Sequence, residues 1–341
     1  MVQPLAKPLI GVNLGGWLLL ERWMTPRLFA GTTAKDEYTF MQTPGAQAKL
    51  RQHQREFIVE EDWRWLHDNG IDIVRLPIGY WALDGDGPLR PCIGKLDWAV
   101  QMAKKYHIKL LICMHGAPGS QNGHDHSGRI GPVDWHRDKK NQIKTVDILK
   151  QIAQRYHNQP SVWGIELLNE PKMKLWQPTL RRFYSQAYQS ITEVARPGLV
   201  TVFSDAFTPR LMNGALRALP GFPVMMDHHW YHFFIIPQLQ RWIPLSVYGW
   251  WLKYIKSPLI GRLSRSQPVI IGEWSGVMGS RKLHRYPKSQ RKALVGWHSR
   301  VQQSAYSSAY AYIYWSYKNH SPGVHNFRSQ VEDGWIKLPK R

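Results

Sequence analysis

Residues 164–172 read GIELLNEPK, and the fold turns on how this stretch is read. Ile165, Leu167 and Leu168 ask for a buried strand, yet the run ends on Asn169 and Glu170 and stops at Pro171, which has no N–H to continue a ladder. A carboxylate delivered to the tip of an apolar strand is costly unless something uses it. Similar short apolar runs recur: LIGVNL (9–14), IDIVRLPI (71–78), IKLLICMH (108–115), VWGIELLN (162–169), LVTVFS (199–204), FPVMMDHHWY (222–231), QPVIIGEW (267–274) and AYAYIYWSY (309–317). Between them lie helix-periodic segments, among them 48–70, where Leu50, Phe57, Ile58 and Leu66 share a face and Gly70 stops the helix, and 95–106, 145–156, 180–195 and 289–307. Eight strand–helix alternations predict an α/β fold, one closed parallel (β/α)8 TIM barrel with right-handed crossovers, occupying residues 1–341 as a single catalytic domain. After the sixth strand, residues 233–261 are too long and aromatic for a plain connection and predict an elaborated loop over the barrel mouth.

Composition narrows the function. Of 341 residues 43% are hydrophobic and 17 are Trp, enough for a large core with indoles to spare for the apolar faces of sugars. Lys and Arg number 45 against 24 Asp and Glu, a formal net charge of +21 that attracts anionic surfaces. Two cysteines, Cys92 and Cys113, imply no disulfide framework, and no run reaches the length of a membrane span. The segment LIGVNLGGWLLLERW (9–23) is interrupted by Asn13, Gly15 and Gly16 and reads as a first strand, not a leader. The expected location is therefore cytoplasmic or peripheral to a membrane.

Chemistry gathers at the strand ends. Arg75 comes from strand two, His115 from strand three, Asn169 and Glu170 from strand four, His229 and Tyr231 from strand six, Glu273 from strand seven and Trp315 from strand eight. A barrel converges all of them on one mouth. Two carboxylates there suit retaining glycoside hydrolysis, in which one protonates the leaving oxygen and the other, about 5 Å away, attacks the anomeric carbon. They need different surroundings: Arg75 would keep one ionised, Tyr231 could hydrogen-bond it, and Asn169 could hold a substrate hydroxyl.

The motifs GVNLGGWLLLERWMTPRLF (11–29), VRLPIGYW (74–81), HGAPGSQNG (115–123), LLNEP (167–171), DHHWY (227–231) and IGEWS (271–275) together resemble glycoside hydrolase family 5, in its exo-β-1,3-glucanase branch, from Gly11 to about Trp315. The resemblance implies a retaining β-glycoside hydrolase with Glu170 as acid/base and Glu273 as nucleophile. It implies substrate contacts from Arg75, His115, Asn122, Asn169, His229, Tyr231 and Trp315. Glu21 matches a carboxylate that holds the hydroxyls of the terminal sugar, which implies exo action. No cofactor and no metal are expected. The sequence departs from the branch after HGAPGSQNG, where HDHSG puts His124 and His126 in place of an aromatic and an amide. Members of the branch are usually secreted.

His124 and His126 are spaced as in some barrel metallohydrolases, but those carry the pair on the first strand with an Asp on the last. An endo-acting β-glucanase or mannanase would use the same barrel, and a non-catalytic carbohydrate- or nucleic-acid-binding barrel would use its basic face. The expected partners are a β-linked oligo- or polysaccharide and an anionic membrane or envelope surface, met by Trp242, Trp250 and Trp251 interleaved with Arg241, Lys253 and Lys256; no nucleic acid is expected.

Overall fold

The computed structural model describes residues 5–172, 177–231, 244–277, 286–321 and 325–338. Eight parallel strands close a barrel in sequence order: β1 (Leu9–Asn13), β2 (Ile73–Gly79), β3 (Lys109–Gly116), β4 (Val162–Glu166), β5 (Val200–Ser204), β6 (Val224–Trp230), β7 (Val269–Trp274) and β8 (Ala311–Tyr314). Each lies inside a run predicted from the sequence, apart from the last residue of β2 and of β3. β1 pairs with β8 from Leu9 opposite Ala311, which closes the ring.

Residues two apart on a strand share a face, so the barrel interior is built in layers. Ile73, Leu111, Val202, Met225, Ile270 and Ile313 pack together as an apolar floor. One step along the same faces come Arg75, Cys113 and Asp227, with Glu166 opposite Cys113 in register. Gly11 keeps the lower layer small, since a Cβ there would lie 2.6 Å from Ile73 Cγ2. Register shifts fall between Asp227 and His229 on β6 and between Ile271 and Trp274 on β7, where irregularities re-aim side chains at the mouth.

Helices wrap the barrel, and the larger apolar cluster fills the space between them and the outer strand faces. The expected helices are found as Ile93–Lys105, Lys139–Arg155, Gln177–Thr192 and Lys288–Ala305. One expectation is corrected: segment 48–70 is two helices, Ala46–Glu56 and Glu60–Asp68, not one. Asp62 breaks it by accepting a hydrogen bond from Val59 N at 2.9 Å, and is itself held by Lys318 and Arg328. Gly70 does end the second helix, at φ 73°.

Of the segment after β6, residues 232–243, including Arg241 and Trp242, lie outside the described residues. The remainder is a helical run, Leu245–Trp251, a π-helical turn Leu252–Lys256 and Ser257–Ser266, which buries Leu252, Ile260 and Leu263.

Candidate active site

Arg75 organises the mouth. It is fully buried in β2, and each of its five N–H groups has a partner. Nε and Nη2 grip Glu166 at 2.6 and 2.9 Å, Nη2 also reaches Asn169 Oδ1 at 2.8 Å, and Nη1 reaches Asn13 Oδ1 at 2.9 Å and Glu273 Oε1 at 2.8 Å. The planar fork thus ties strands β1, β2, β4 and β7 into one rigid plate.

Glu273 completes its hydrogen bonding through Tyr231, whose hydroxyl donates to Oε2 at 2.6 Å. Glu170 sits across from it, held by His229 Nδ1 at 2.6 Å and approached by His126 Nε2 at 3.7 Å. His229 Nε2 lies 3.1 Å from Asp227, whose other oxygen accepts the Gly272 N–H at 2.7 Å. One oxygen of Glu170, one of Glu273 and a nitrogen of His229 all lie within 4.8 Å of one another. Glu170 occupies left-handed backbone, φ 40°, just before Pro171; a non-glycine residue there is strained, and its neighbours must hold it.

The environment separates the two carboxyl groups. Burial raises both; at Glu170 the hydrogen bond and charge of His229, helped by His126 and Arg75, outweigh it and bring the group down to about 2. At Glu273 burial prevails over His229, Arg75 and Tyr231, and the group stands up at about 7. Against its own burial, the carboxylates Glu273 and Asp227 push His229 well above the usual imidazole range. In the free site the proton between Glu170 and His229 therefore rests on the imidazole.

Glu21 lies in the wall of the same cavity, which has a volume of about 810 Å3. Trp23 Nε1 donates to its Oε2 at 2.8 Å, while Oε1 is buried with no hydrogen-bond partner among the described residues. Burial, reinforced by Asp125, raises this carboxyl well above its ordinary value. Trp315 forms a further wall, its ring stacked on His115 at 5.5 Å and 6°. Asn169 turns its amide nitrogen toward His115 Nε2 at 3.3 Å and His126 Nδ1 at 3.4 Å.

The Asn122 amide donates to the backbone carbonyl of Glu170 at 3.1 Å and its Oδ1 accepts the His124 N–H at 3.0 Å, so it fixes the strained tip from behind. His124 and His126 stack ring on ring, centroids 5.4 Å apart, on the cavity wall. Carboxylates and His229 are close enough to hold a cation in two clusters, one with Glu166 and Asp227 and one with Glu170 and Glu273. The guanidinium of Arg75, bonded to Glu166 and Glu273, already supplies positive charge to both.

Sequence reasoning missed Asn13, Glu166 and Asp227, the buried partners of Arg75 and His229. A charge inside an apolar strand run, as in GIELL and VMMDHH, was the available signal. Missed as well were Trp23, Phe207 and Lys256 on the cavity wall, the last with its ammonium 4.0 Å from the Trp230 ring centroid.

The sequence matches the family Cellulase (glycosyl hydrolase family 5) over residues 41–321. It is 38% identical over 289 residues to a probable glucan 1,3-beta-glucosidase A of Emericella nidulans, covering 80% of this chain and 68% of that one. It is 38% identical over 287 residues to a protein of the same description from Aspergillus fumigatus, covering 79% and 65%. The chain thus spans about two thirds of the length of these relatives. Among solved structures, its fold is similar to a rutinosidase from Aspergillus niger, at a TM-score of 0.77 and 18% identity over 97% of this chain and 98% of that one. An endoglucanase Cel5A from Thermotoga maritima gives 0.55 and 17% over 91% and 89%. The chain belongs to glycosyl hydrolase family 5, a family of O-glycosyl hydrolases.

Proposed function

From that membership we propose that the protein is a retaining β-glucoside hydrolase, exo-acting on β-1,3-linked glucans or related glucosides, with residues 1–341 working as one catalytic barrel domain. Glu273 is the nucleophile and Glu170 the acid/base. What carries the reading is the approach of one oxygen from each carboxyl to within 4.8 Å of the other, the spacing of a double displacement rather than of a water-mediated inversion.

In the first step an oxygen of Glu273 bonds to the anomeric carbon as the bond to the aglycone oxygen breaks, and Glu170 gives that oxygen its proton. In the second, Glu170 takes a proton from water, which displaces the ester and restores the starting configuration. The resting proton lies on His229, the wrong side for an acid, but Nδ1 and Oε1 are 2.6 Å apart. One hop protonates Glu170 and leaves a neutral imidazole whose Nε2–H faces Asp227. Meanwhile Arg75 and Tyr231 stabilise Glu273 as the anion that attacks.

Exo action is supported by Glu21. Glu21 belongs to the cavity wall and its Oε1 has no hydrogen-bond partner among the described residues, so its carboxyl is suited to bind a hydroxyl of a terminal sugar, and a further sugar unit there would replace that hydroxyl. The net charge of +21 favours substrate presented at an anionic membrane or envelope surface over a neutral one.

Proton NMR of the first-formed sugar tests the mechanism: the β-anomer is expected, and an initial α-anomer would overturn the double displacement. The product profile on a β-1,3-glucan oligomer tests the mode. Glucose alone from the earliest time points is expected, whereas early di- and trisaccharides would show an open, endo-acting cleft.

A further inference from the structure

Between Asp227 and Glu273 the sequence contains no Asp or Glu, while Arg241, Lys253, Lys256, Arg262 and Arg265 all fall there. Within this stretch, residues 245–266 are helical and two-faced. Its inner face buries Leu252, Ile260 and Leu263. Its outer face presents Val247, Trp250, Tyr254 and Ile255, which are 50%, 56%, 53% and 47% exposed. Large apolar side chains half in water on one short helical surface are an unusual concentration for a monomer. The rings of Trp250 and Tyr254 lie 5.7 Å apart, and the Lys253 ammonium lies 5.0 Å from the Tyr254 centroid. Arg262 and Arg265 continue the exposed side as pure charge.

The position of this face matters as much as its composition. Lys256 closes the π-helical turn and also lines the active-site cavity, so the face adjoins the mouth. Phe207, on the same cavity wall, is 58% exposed. Among the described residues no helix is long and apolar enough to cross a membrane; what this segment offers is a surface. A second copy of the chain is a poor occupant, because +21 would meet +21. An acidic polysaccharide would answer the cations but give Val247, Trp250 and Ile255 no apolar phase to enter. Anionic lipid supplies both, with headgroups for the cations and the acyl boundary for the aromatics.

We propose that this helical face docks the protein on an anionic lipid bilayer with the active-site mouth turned toward the headgroups. The surface goes beyond glycoside hydrolysis and does not depend on it. Trp and Tyr would sit at the interface level, and the basic residues would lie within a Debye length of the lipid charge.

The test is co-sedimentation of the full chain with vesicles of phosphatidylcholine alone and of phosphatidylcholine with one third phosphatidylglycerol, at low and high salt. Binding to the anionic vesicles at low salt, weakened by salt, is expected. Two variants separate the contributions: Trp250→Ala with Tyr254→Ala, and Lys253→Glu with Arg262→Glu and Arg265→Glu. Each is expected to lower vesicle binding at least tenfold while hydrolysis of a small soluble aryl glucoside stays at the parent level, which also shows that the variants fold. No binding at low salt, equal binding to neutral vesicles, or parent-like binding by both variants would overturn the proposal. So would sedimentation velocity showing a dimer that the Trp250→Ala, Tyr254→Ala variant loses, because the face would then serve self-association. Failure to hydrolyse any glucoside would count against the reaction, not against the docking face.

Discussion

Tyr231→Phe removes one hydrogen bond and leaves the ring, and its effect follows from the charge it serves. The Tyr231 hydroxyl donates to Glu273 Oε2 at 2.6 Å, a bond that lowers the proton affinity of a buried carboxyl standing at about 7. A hydrogen bond to a charged group contributes about 1.5–3 kcal/mol. At about 1.36 kcal/mol per pKa unit, its loss raises Glu273 by about one to two units. The sign is fixed by the role: protonated Glu273 cannot attack, so kcat/KM rises as pH increases through the Glu273 pKa. The parent enzyme is expected to show an acid limb near 7, and Tyr231→Phe a limb shifted to higher pH by that amount. At pH below the parent limb kcat/KM then falls about ten- to hundredfold, with partial recovery above the new limb. The assay is kcat/KM for an aryl glucoside against pH, with the melting temperature as a control on folding. An acid limb that stays in place would refute the reasoning, because it would belong to another group. Glu170, held at about 2, cannot supply a limb near neutrality, so the experiment also separates the two carboxyls.

Glu273→Ala is expected to abolish turnover, with azide rescuing it as the α-glycosyl azide, whereas Glu170→Ala keeps activity on activated aryl leaving groups that need no proton; equal failure on activated and unactivated substrates would reverse or void the roles. Glu21→Ala removes a carboxyl from the cavity wall, and the loss of its hydrogen bond to the terminal sugar, about 2 kcal/mol, predicts about a thirtyfold fall in kcat/KM with no loss of melting temperature. Gly272→Ala would place a Cβ inside the Asp227 carboxylate, so thermal melting is expected to show clear destabilisation, and a parent-like melting temperature would mean that β6 and β7 give way easily.

The strands were legible because a parallel barrel buries both strand faces and writes each one as a short apolar run; all eight runs hold a strand. The mouth was legible for a related reason. Asn169, Glu170, His229 and Glu273 stand at or near strand ends, and the end of an apolar run is where a polar side chain meets the cavity; Arg75 lies within β2, one layer below. The support that Asn122 gives was not legible, because the direction of a loop amide depends on the backbone it meets, here the carbonyl of a left-handed Glu170. The break between Glu56 and Glu60 was invisible because Asp62 owes its position to Lys318 and Arg328, more than 250 residues away in sequence. Glu166 and Asp227 carried a readable sign, a charge within an apolar run, but their partners required the barrel to close.

Those two buried carboxylates explain how strand tips of the same chemistry acquire different proton affinities. Four carboxyl groups, Glu166, Glu170, Asp227 and Glu273, surround two cations, Arg75 and His229. Not all four can ionise cheaply in so little water. Glu273 and Asp227 keep a proton on His229, and that positive charge, in direct contact with Glu170, makes Glu170 the easier of the tips to ionise. Glu166 takes two of the five N–H groups of Arg75 and leaves Glu273 one, so the guanidinium field at Glu273 is shared and burial prevails there. Lysine at position 75 could not reproduce the division, since three mobile donors cannot span two carboxylates and two amides in one plane. The order of proton affinities at the mouth is therefore set by His229 on the cavity wall together with Arg75, Glu166 and Asp227 one layer below it. Moving one proton from His229 to Glu170 discharges the imidazole and takes from both tips the positive charge that lowers them, so that Arg75 and Tyr231 are left to hold Glu273 as the anion.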